Sequence, residues 1–198
     1  NEGDGLFHQV DLMTGARPFR PSLADLDLDG DLDLVIPALD ANKLEVWHND
    51  GAGNFDKFAE YPAGDQPHYS TTADMNGDGS PDVVVPSYAS SDARILYGDG
   101  SGGLVAGDRF TNLPDAVFCA ADDLDGDYSP DLLVAASDTE AFTVWKNRNL
   151  LDCNQNGLPD PDDIANGTSL DCNANGIEDA VDDALAPCDQ SGHRRARL

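Results

Sequence analysis

Short apolar runs recur at a fixed spacing along most of the chain. Residues 34–36, 83–85 and 132–134 form three such runs, each 49 residues after the one before. Each run is bounded by turn residues and is too short for a helix, which is typical of a strand that is buried on both faces. The sequence therefore predicts three copies of one β unit.

Each unit contains further strands around its apolar run, predicted from alternation and from flanking turn residues. In chain order the predicted strands are 21–24, 34–36, 43–47 and 55–61, then 70–73, 83–85, 93–96 and 104–110, then 118–121, 132–134 and 141–145. Glycine-rich segments at 51–53 and 98–103 are predicted hairpin turns. Trp47, Leu96 and Trp145 share one position in the unit and are expected to pack between units.

Four short strands at a fixed period are the signature of a β-propeller blade. The predicted fold class is all-β, with propeller-type blades over residues 1–149 and a small segment of calcium loops and short helices over 150–198. Residues 1–21 match the end of a unit, with a closing strand at 7–12, whereas the third unit stops before its fourth strand. Because propellers close with about four to eight blades, the chain is either part of a longer propeller or completes its third blade with a strand from another molecule.

A nine-residue acidic loop joins the first two strands of every unit. Side-chain oxygens at positions 1, 3, 5 and 9, with a backbone carbonyl at position 7, give the ligand order of an EF-hand-type calcium loop. The predicted ligands are Asp25, Asp27, Asp29, Asp31 and Asp33 in loop 1, Asp74, Asn76, Asp78, Ser80 and Asp82 in loop 2, and Asp123, Asp125, Asp127, Ser129 and Asp131 in loop 3. Such carboxylates repel one another unless a cation lies among them. Hard oxygen ligands without His or Cys favour calcium over zinc or copper, and a solvated acidic turn is the alternative.

Loop 3 departs from the pattern, because Tyr128 stands where the other loops have Gly30 and Gly79. The sharp turn at that position normally needs glycine. Loop 3 is therefore the predicted site that departs furthest from the calcium-loop pattern.

Two further calcium-type loops, 19 residues apart, follow in the C-terminal segment. Their predicted ligands are Asp152, Asn154, Asn156, Leu158, Asp160 and Asp163, and Asp171, Asn173, Asn175, Ile177, Asp179 and Asp182, where Leu158 and Ile177 use backbone carbonyls. Calcium is thus predicted at up to five sites. Two of Cys153, Cys172 and Cys188 should form a disulfide in an oxidising compartment, with the pairing left open. Asn166 begins a glycosylation acceptor pattern.

The blade motif resembles the FG-GAP family of repeats, with the related VCBS repeats, as in the integrin α-subunit propeller. The acidic loop followed by an apolar strand carries the resemblance, together with the segment Asn-Asp-Gly-Ala-Gly-Asn-Phe at 49–55. It covers about residues 1–149 and implies a calcium-stapled propeller in extracellular adhesion or recognition. The C-terminal loops resemble dockerin-type calcium repeats and, more loosely, thrombospondin type 3 repeats.

Composition narrows the classes of function. The formal net charge is −27, and seventeen of the 38 acidic residues are predicted to bind calcium through their side chains. The 11 Lys and Arg residues cannot form a basic groove, so nucleic acid is not an expected partner. No apolar run approaches the ~20 residues of a membrane span. The chain starts at Asn1 rather than Met, which is typical of a processed extracellular or cell-surface product.

No arrangement typical of a catalytic site is present. His8, His48, His68 and His193 lie at unrelated repeat positions and are predicted to be surface or packing residues. Cys119 is predicted to be a buried free thiol in a strand. The predicted function is therefore non-enzymatic: a calcium-binding structural or adhesion protein that assembles head-to-tail, as a filament or ring, by strand exchange. The alternative is a glycan- or protein-recognition module of a larger cell-surface propeller protein, with Tyr61, Tyr69 and Tyr88 as candidate contact residues.

Overall fold

The structure, a computed structural model, describes residues 9, 11–14, 17–126, 129–137 and 141–147. Within these residues the chain is all-β apart from one short 3-10 helix, Leu39–Ala41. They include no helix with the length and apolarity needed to cross a membrane. The two predicted C-terminal calcium loops, Cys153, Cys172, Cys188, Asn166, and Asp127 with Tyr128 of loop 3 lie outside the described residues.

Three antiparallel sheets follow one another, and each is a meander of consecutive strands. The strands are β1 (Ser22–Ala24), β2 (Asp33–Ala38), β3 (Lys43–Asn49) and β4 (Phe55–Pro62) in blade 1, β5 (Thr71–Ala73), β6 (Asp82–Ser87), β7 (Asp92–Gly98) and β8 (Leu104–Thr111) in blade 2, and β9 (Ala116–Asp122), β10 (Asp131–Ala136) and β11 (Ala141–Trp145) in blade 3. The predicted all-β fold with propeller-type blades is confirmed.

The 49-residue period is preserved in the strand register. Leu34 pairs with Trp47 in blade 1, and Leu132 pairs with Trp145 in blade 3. Blades 1 and 2 each carry a β-bulge between their third and fourth strands. A bulge increases the local twist of a strand, and the two bulges lie at equivalent positions of the repeat.

The blades stack face to face, with an apolar core between each neighbouring pair. Val83 and Val85 of β6 lie in the core between blades 1 and 2, whereas Val84 lies in the core between blades 2 and 3. Side chains alternate across a strand, so one run of valines contributes to both cores. The prediction that these runs are buried on both faces is confirmed for blade 2.

The shared tryptophan position behaves differently in the first blade. Leu96 and Trp145 pack in or against the two cores, as predicted. The prediction is wrong for Trp47, which lies on the opposite face of β3 from Val46 and so turns away from blade 2. No described blade precedes blade 1, and the indole N–H of Trp47 instead donates to Glu45 at 3.1 Å.

The predicted N-terminal strand at 7–12 has no partner strand among the described residues. Residues 9, 11 and 12 belong to no sheet. The chain joins blade 1 only afterwards, where the N–H of Phe19 donates to Pro37 O at 2.9 Å and the N–H of Leu39 donates to Arg17 O at 3.0 Å.

Stability should depend on the core between the blades. Leu44 is fully buried there, at 0% exposure, whereas Leu32 is 53% exposed in a loop. We expect Leu44→Ala to lower the free energy of unfolding by about 3 kcal/mol, because truncation leaves a cavity. Leu32→Ala, the matched control, should change it by less than about 0.5 kcal/mol. Equal effects of the two substitutions in denaturant titrations would contradict the face-to-face packing.

Candidate metal centre

The three acidic loops occupy equivalent places in the stack. Each joins the first strand of a blade to the second, so repetition of one topology places all three at the same end of the blades. The aspartates bend each loop by accepting hydrogen bonds from its own backbone. In loop 1, Asp25 accepts from the N–H groups of Asp29 and Gly30, both at 3.0 Å.

The last aspartate of every loop is a buried connector. Asp33, Asp82 and Asp131 are each 0% exposed. One carboxylate oxygen accepts the N–H of the second loop residue, at 3.0, 2.7 and 3.1 Å in loops 1, 2 and 3. The other accepts the N–H at or just past the end of the third strand, at 2.9, 2.8 and 2.8 Å. This side chain therefore ties the loop to the blade, and each oxygen keeps a lone pair for a further contact.

The structure brings several predicted ligands of loops 1 and 3 together. Carboxylate oxygens of Asp25, Asp27 and Asp29 lie within 4.8 Å of one another, and so do those of Asp123, Asp125 and Asp131. Loop 2 has an amide in the middle position, where Asn76 donates to Asp78 at 2.8 Å. The position-7 residues Asp31 and Ser80 each donate a backbone N–H to the aspartate at position 5, at 2.9 and 2.8 Å. The candidate metal ligands in these loops are hard oxygen atoms, which suit calcium.

Electrostatics in the loops favour a bound cation. Burial raises the pKa of Asp82, and the charges of Asp74 and Asp78 raise it further, against the hydrogen bonds from Gly98 and Met75. Burial and the neighbouring Asp33 and Asp29 likewise raise the pKa of Asp27. A cation among these groups would relieve both the repulsion and the loss of solvation.

Backbone conformation supports the predicted sharp turn and adds a second one. Gly30 and Gly79 have φ values of 98° and 87°, as expected for position 6 of the loop. Position 4 is also left-handed, with Gly77 at 75° and Gly126 at 83° in loops 2 and 3, and with Leu28 at 61° in loop 1. The only sequence signal for this second left-handed position is the glycine that two of the three loops have there.

Each of the first two loops is also bonded to the following blade. The carbonyl of Leu26 accepts the N–H of Gly102 at 3.0 Å. The equivalent carbonyl of Met75 accepts the side-chain amide of Asn147 at 2.8 Å. The loops therefore contribute to the contacts between blades.

His48, which was predicted to be a surface or packing residue, lies beside two carboxylates of loop 1. Its Nδ1 lies 3.7 Å from a carboxylate oxygen of Asp27, and ligand atoms of His48, Asp27 and Asp33 lie within 4.8 Å of one another. Lys146 takes the equivalent place in blade 3, with Nζ 2.7 Å from Asp125. Alignment of the repeats carries this signal, because His48, Tyr97 and Lys146 all follow the last loop aspartate by 15 residues.

The candidate recognition tyrosines are mostly packing residues. Tyr61 packs against the core between blades 1 and 2, and Tyr69 packs against the other core and against Phe118. Tyr88 stacks on His68 with ring centroids 5.2 Å apart. The predicted free thiol is confirmed, since Cys119 is 0% exposed and unpaired, and burial raises its pKa.

Comparison with known proteins identifies the repeat. A family model described as an FG-GAP-like repeat matches residues 25–85 and 74–134. These two matches overlap and together span more than half of the chain. No curated protein matches the sequence significantly.

Two solved structures of BBS1N in complex with ARL6DN resemble the fold. The crystal soaked with mercury gives a TM-score of 0.51 at 17% identity, and the crystal soaked with lead gives 0.49 at 18%. Each comparison covers 68% of the present chain, but only 43% and 42% of the BBS1N chains. The chain therefore spans less than half the length of these structures, and the similarity concerns the fold.

The buried connector is open to a direct test without metal. We expect Asp82→Ala, measured with a chelator present, to lower the free energy of unfolding by about 3 kcal/mol, because two buried N–H groups lose their charged acceptor. Asp56→Ala, at an exposed position in β4, is the matched control and should be nearly neutral. An Asp82→Ala protein as stable as the control would show that the carboxylate does not tie loop 2 to its blade.

Proposed function

This chain belongs to the FG-GAP-like repeat family, and from that premise we propose that it is a non-enzymatic, calcium-binding propeller module that acts by protein–protein contact. The observation that carries the proposal is the open side of blade 3. In blades 1 and 2 the third strand pairs with a fourth, whereas β11 pairs with β10 alone among the described residues. Unpaired strand edges are templates for another chain.

The side chains of β11 favour an interface as well. Phe142 and Val144 are 69% and 47% exposed. The equivalent residues in blade 2, Ala93 and Ile95, are 0% and 4% exposed because blade 3 covers them. One face of blade 3 thus has the apolar character of an inter-blade surface without a described blade against it.

The proposed occupant is the N-terminal segment of a second copy of this chain. Residues 3–12 match the turn and fourth strand of a unit, with Phe7 in the place of Phe55. Addition of this strand to β11 would complete blade 3 through main-chain hydrogen bonds. The contact is head-to-tail, so it produces a ring if it closes and a filament if it does not.

Calcium would stabilise the blades that take part in this contact. The three acidic loops are proposed as sites of the extracellular type, with dissociation constants of about 10⁻⁴–10⁻³ M. An extracellular location supplies enough calcium for such sites, and we propose that location for this chain. The two dockerin-like loops of residues 150–198 are proposed as further calcium sites.

A recognition module is the second candidate function. At the end of the stack away from the acidic loops, the rings of Phe19, His68 and Tyr88 form a continuous stack, with centroids 5.1 and 5.2 Å apart. Flat aromatic surfaces of this kind suit glycan or protein ligands. The BBS1N structure is itself a complex, with ARL6DN.

The nearby ammonium group of Lys146 should lower the calcium affinity of loop 3. The ammonium group of Lys146 already lies 2.7 Å from Asp125 and opposes a cation in the same loop. We expect Lys146→Gln to raise the calcium affinity of loop 3 several-fold in isothermal titration. Lys43→Gln is the control, because Lys43 pairs with Glu60 on β4 rather than with a loop. Equal calcium binding by the two variants would remove this role of Lys146.

Assembly can be tested with two capped forms of the chain. Deletion of residues 1–12 removes the donor strand, and Phe142→Glu with Val144→Glu places charge on the apolar face of β11 that the incoming copy would cover. Each variant alone should be monomeric by sedimentation in millimolar calcium, while an equal mixture should form heterodimers and nothing larger.

The wild-type chain, which keeps both ends, should form longer assemblies under the same conditions. Oligomers of the deletion variant alone, or a mixture that stays monomeric, would sink the strand-exchange proposal. Monomeric wild-type protein would favour the recognition module, and glycan and protein binding to a Tyr88→Ala variant would then be compared with wild type.

A further inference from the structure

His48 gives loop 1 a donor that the other loops lack. The three side chains involved come from separate parts of blade 1: Asp27 from the middle of the loop, Asp33 from the start of β2 and His48 from the end of β3. Their ligand atoms lie within 4.8 Å of one another. One imidazole and two carboxylates are a donor set for a borderline metal ion rather than for calcium alone.

The spacing of the donors suits a shared metal better than a direct contact. His48 Nδ1 and Asp27 Oδ2 are 3.7 Å apart, which is too long for a hydrogen bond. Two ligands of a tetrahedral zinc ion, each bonded at about 2.1 Å, are about 3.4 Å apart. A small movement of either side chain would therefore place both donors on one ion.

The imidazole is held with Nδ1 toward the carboxylates. Its Nε2 faces the carbonyl oxygen of Gly102 at 3.5 Å, and its ring stacks on Phe58 with centroids 4.1 Å apart. A Cβ at Gly102 would overlap the ring, so the turn of blade 2 leaves the space that the imidazole fills. Because a carbonyl oxygen can only accept, a hydrogen bond here requires the tautomer with Nε2–H, which leaves the lone pair on Nδ1. This arrangement is typical of histidine ligands.

The equivalent positions in blades 2 and 3 exclude the same chemistry. Tyr97 donates its hydroxyl to Asp108 at 2.9 Å, and Lys146 places an ammonium group beside Asp125. Neither side chain offers a nitrogen lone pair to its loop. Any preference for a borderline metal among the three described loops therefore belongs to loop 1.

We propose that Asp27, Asp33 and His48 form a binding site for a borderline transition-metal ion such as Zn²⁺, distinct in selectivity from loops 2 and 3. Three protein ligands leave a fourth position for water. Two of them are also proposed calcium ligands, so the two metals would compete in loop 1. The zinc site does not depend on calcium binding anywhere in the chain.

The test is a zinc titration of the full chain in calcium-free buffer, followed by NMR of ¹⁵N-labelled histidine side chains. The Nδ1 resonance of His48 should shift on direct coordination. His48→Gln should weaken zinc binding at this site by roughly tenfold or more, measured against a chromophoric chelator. His68→Gln, the matched control, should leave the affinity unchanged because His68 stacks between Phe19 and Tyr88, away from the loops.

Reading the resonance of His48 itself separates this site from zinc on the cysteines of the C-terminal segment. An Nδ1 signal that zinc does not move, or equal affinity of the His48→Gln and wild-type chains, would overturn the proposal. A gain-of-function variant, Asn76→Asp with Tyr97→His, should create a second site in loop 2, with a second shifted imidazole. Failure of excess calcium to displace zinc would count against calcium in loop 1 and leave the zinc site standing.

Discussion

The buried carboxylate at the end of each acidic loop is the constraint on which the blades depend. It fastens the loop to the third strand through two backbone hydrogen bonds, and it does so with nearly the same geometry in Asp33, Asp82 and Asp131. A buried charge is tolerated only where it is well bonded. The same side chain therefore joins three levels of the structure: the turn of the loop, the closure of the blade and the oxygen cluster that a cation can enter.

Stacking of the blades adds a second constraint: the apolar face of a blade needs a neighbour or another cover. A propeller blade has two apolar faces, and blade 2 buries both because it lies between two neighbours. On the face of blade 1 that points away from blade 2, Trp47, Glu45 and Lys57 contact one another. The ammonium group of Lys57 donates to Glu45 at 2.9 Å and lies 6.0 Å from the indole centroid of Trp47. Blade 3 has an exposed phenylalanine and valine, so the outer faces of the first and third described blades are chemically different.

Local repetition explains why much of the fold and of the candidate site follows from the sequence. The 49-residue period, the apolar runs and the loop aspartates are local patterns. They predicted the strands, the blades and the loop aspartates whose carboxylates lie close together in the structure. The sequence did not predict the left-handed backbone at Leu28. It also did not predict that the last loop aspartate accepts hydrogen bonds from both the loop and the third strand. Both depend on where distant backbone N–H groups lie, and no local pattern contains that information.

What the sequence by itself determined is the repeat: its length, its strand order, its acidic loops and the burial of its central strand on both faces. What only the tertiary structure decided is the surroundings of residues that share a repeat position. Trp47 and Trp145 occupy equivalent places but meet different neighbours, because one lies at the outer face of the stack and the other between blades. His48 lies beside Asp27, and Lys146 lies beside Asp125, because the fold places the end of the third strand next to the loop. Hydrophobic periodicity specifies which side of a strand is buried, whereas the chemistry of a site depends on side chains that chain folding brings together.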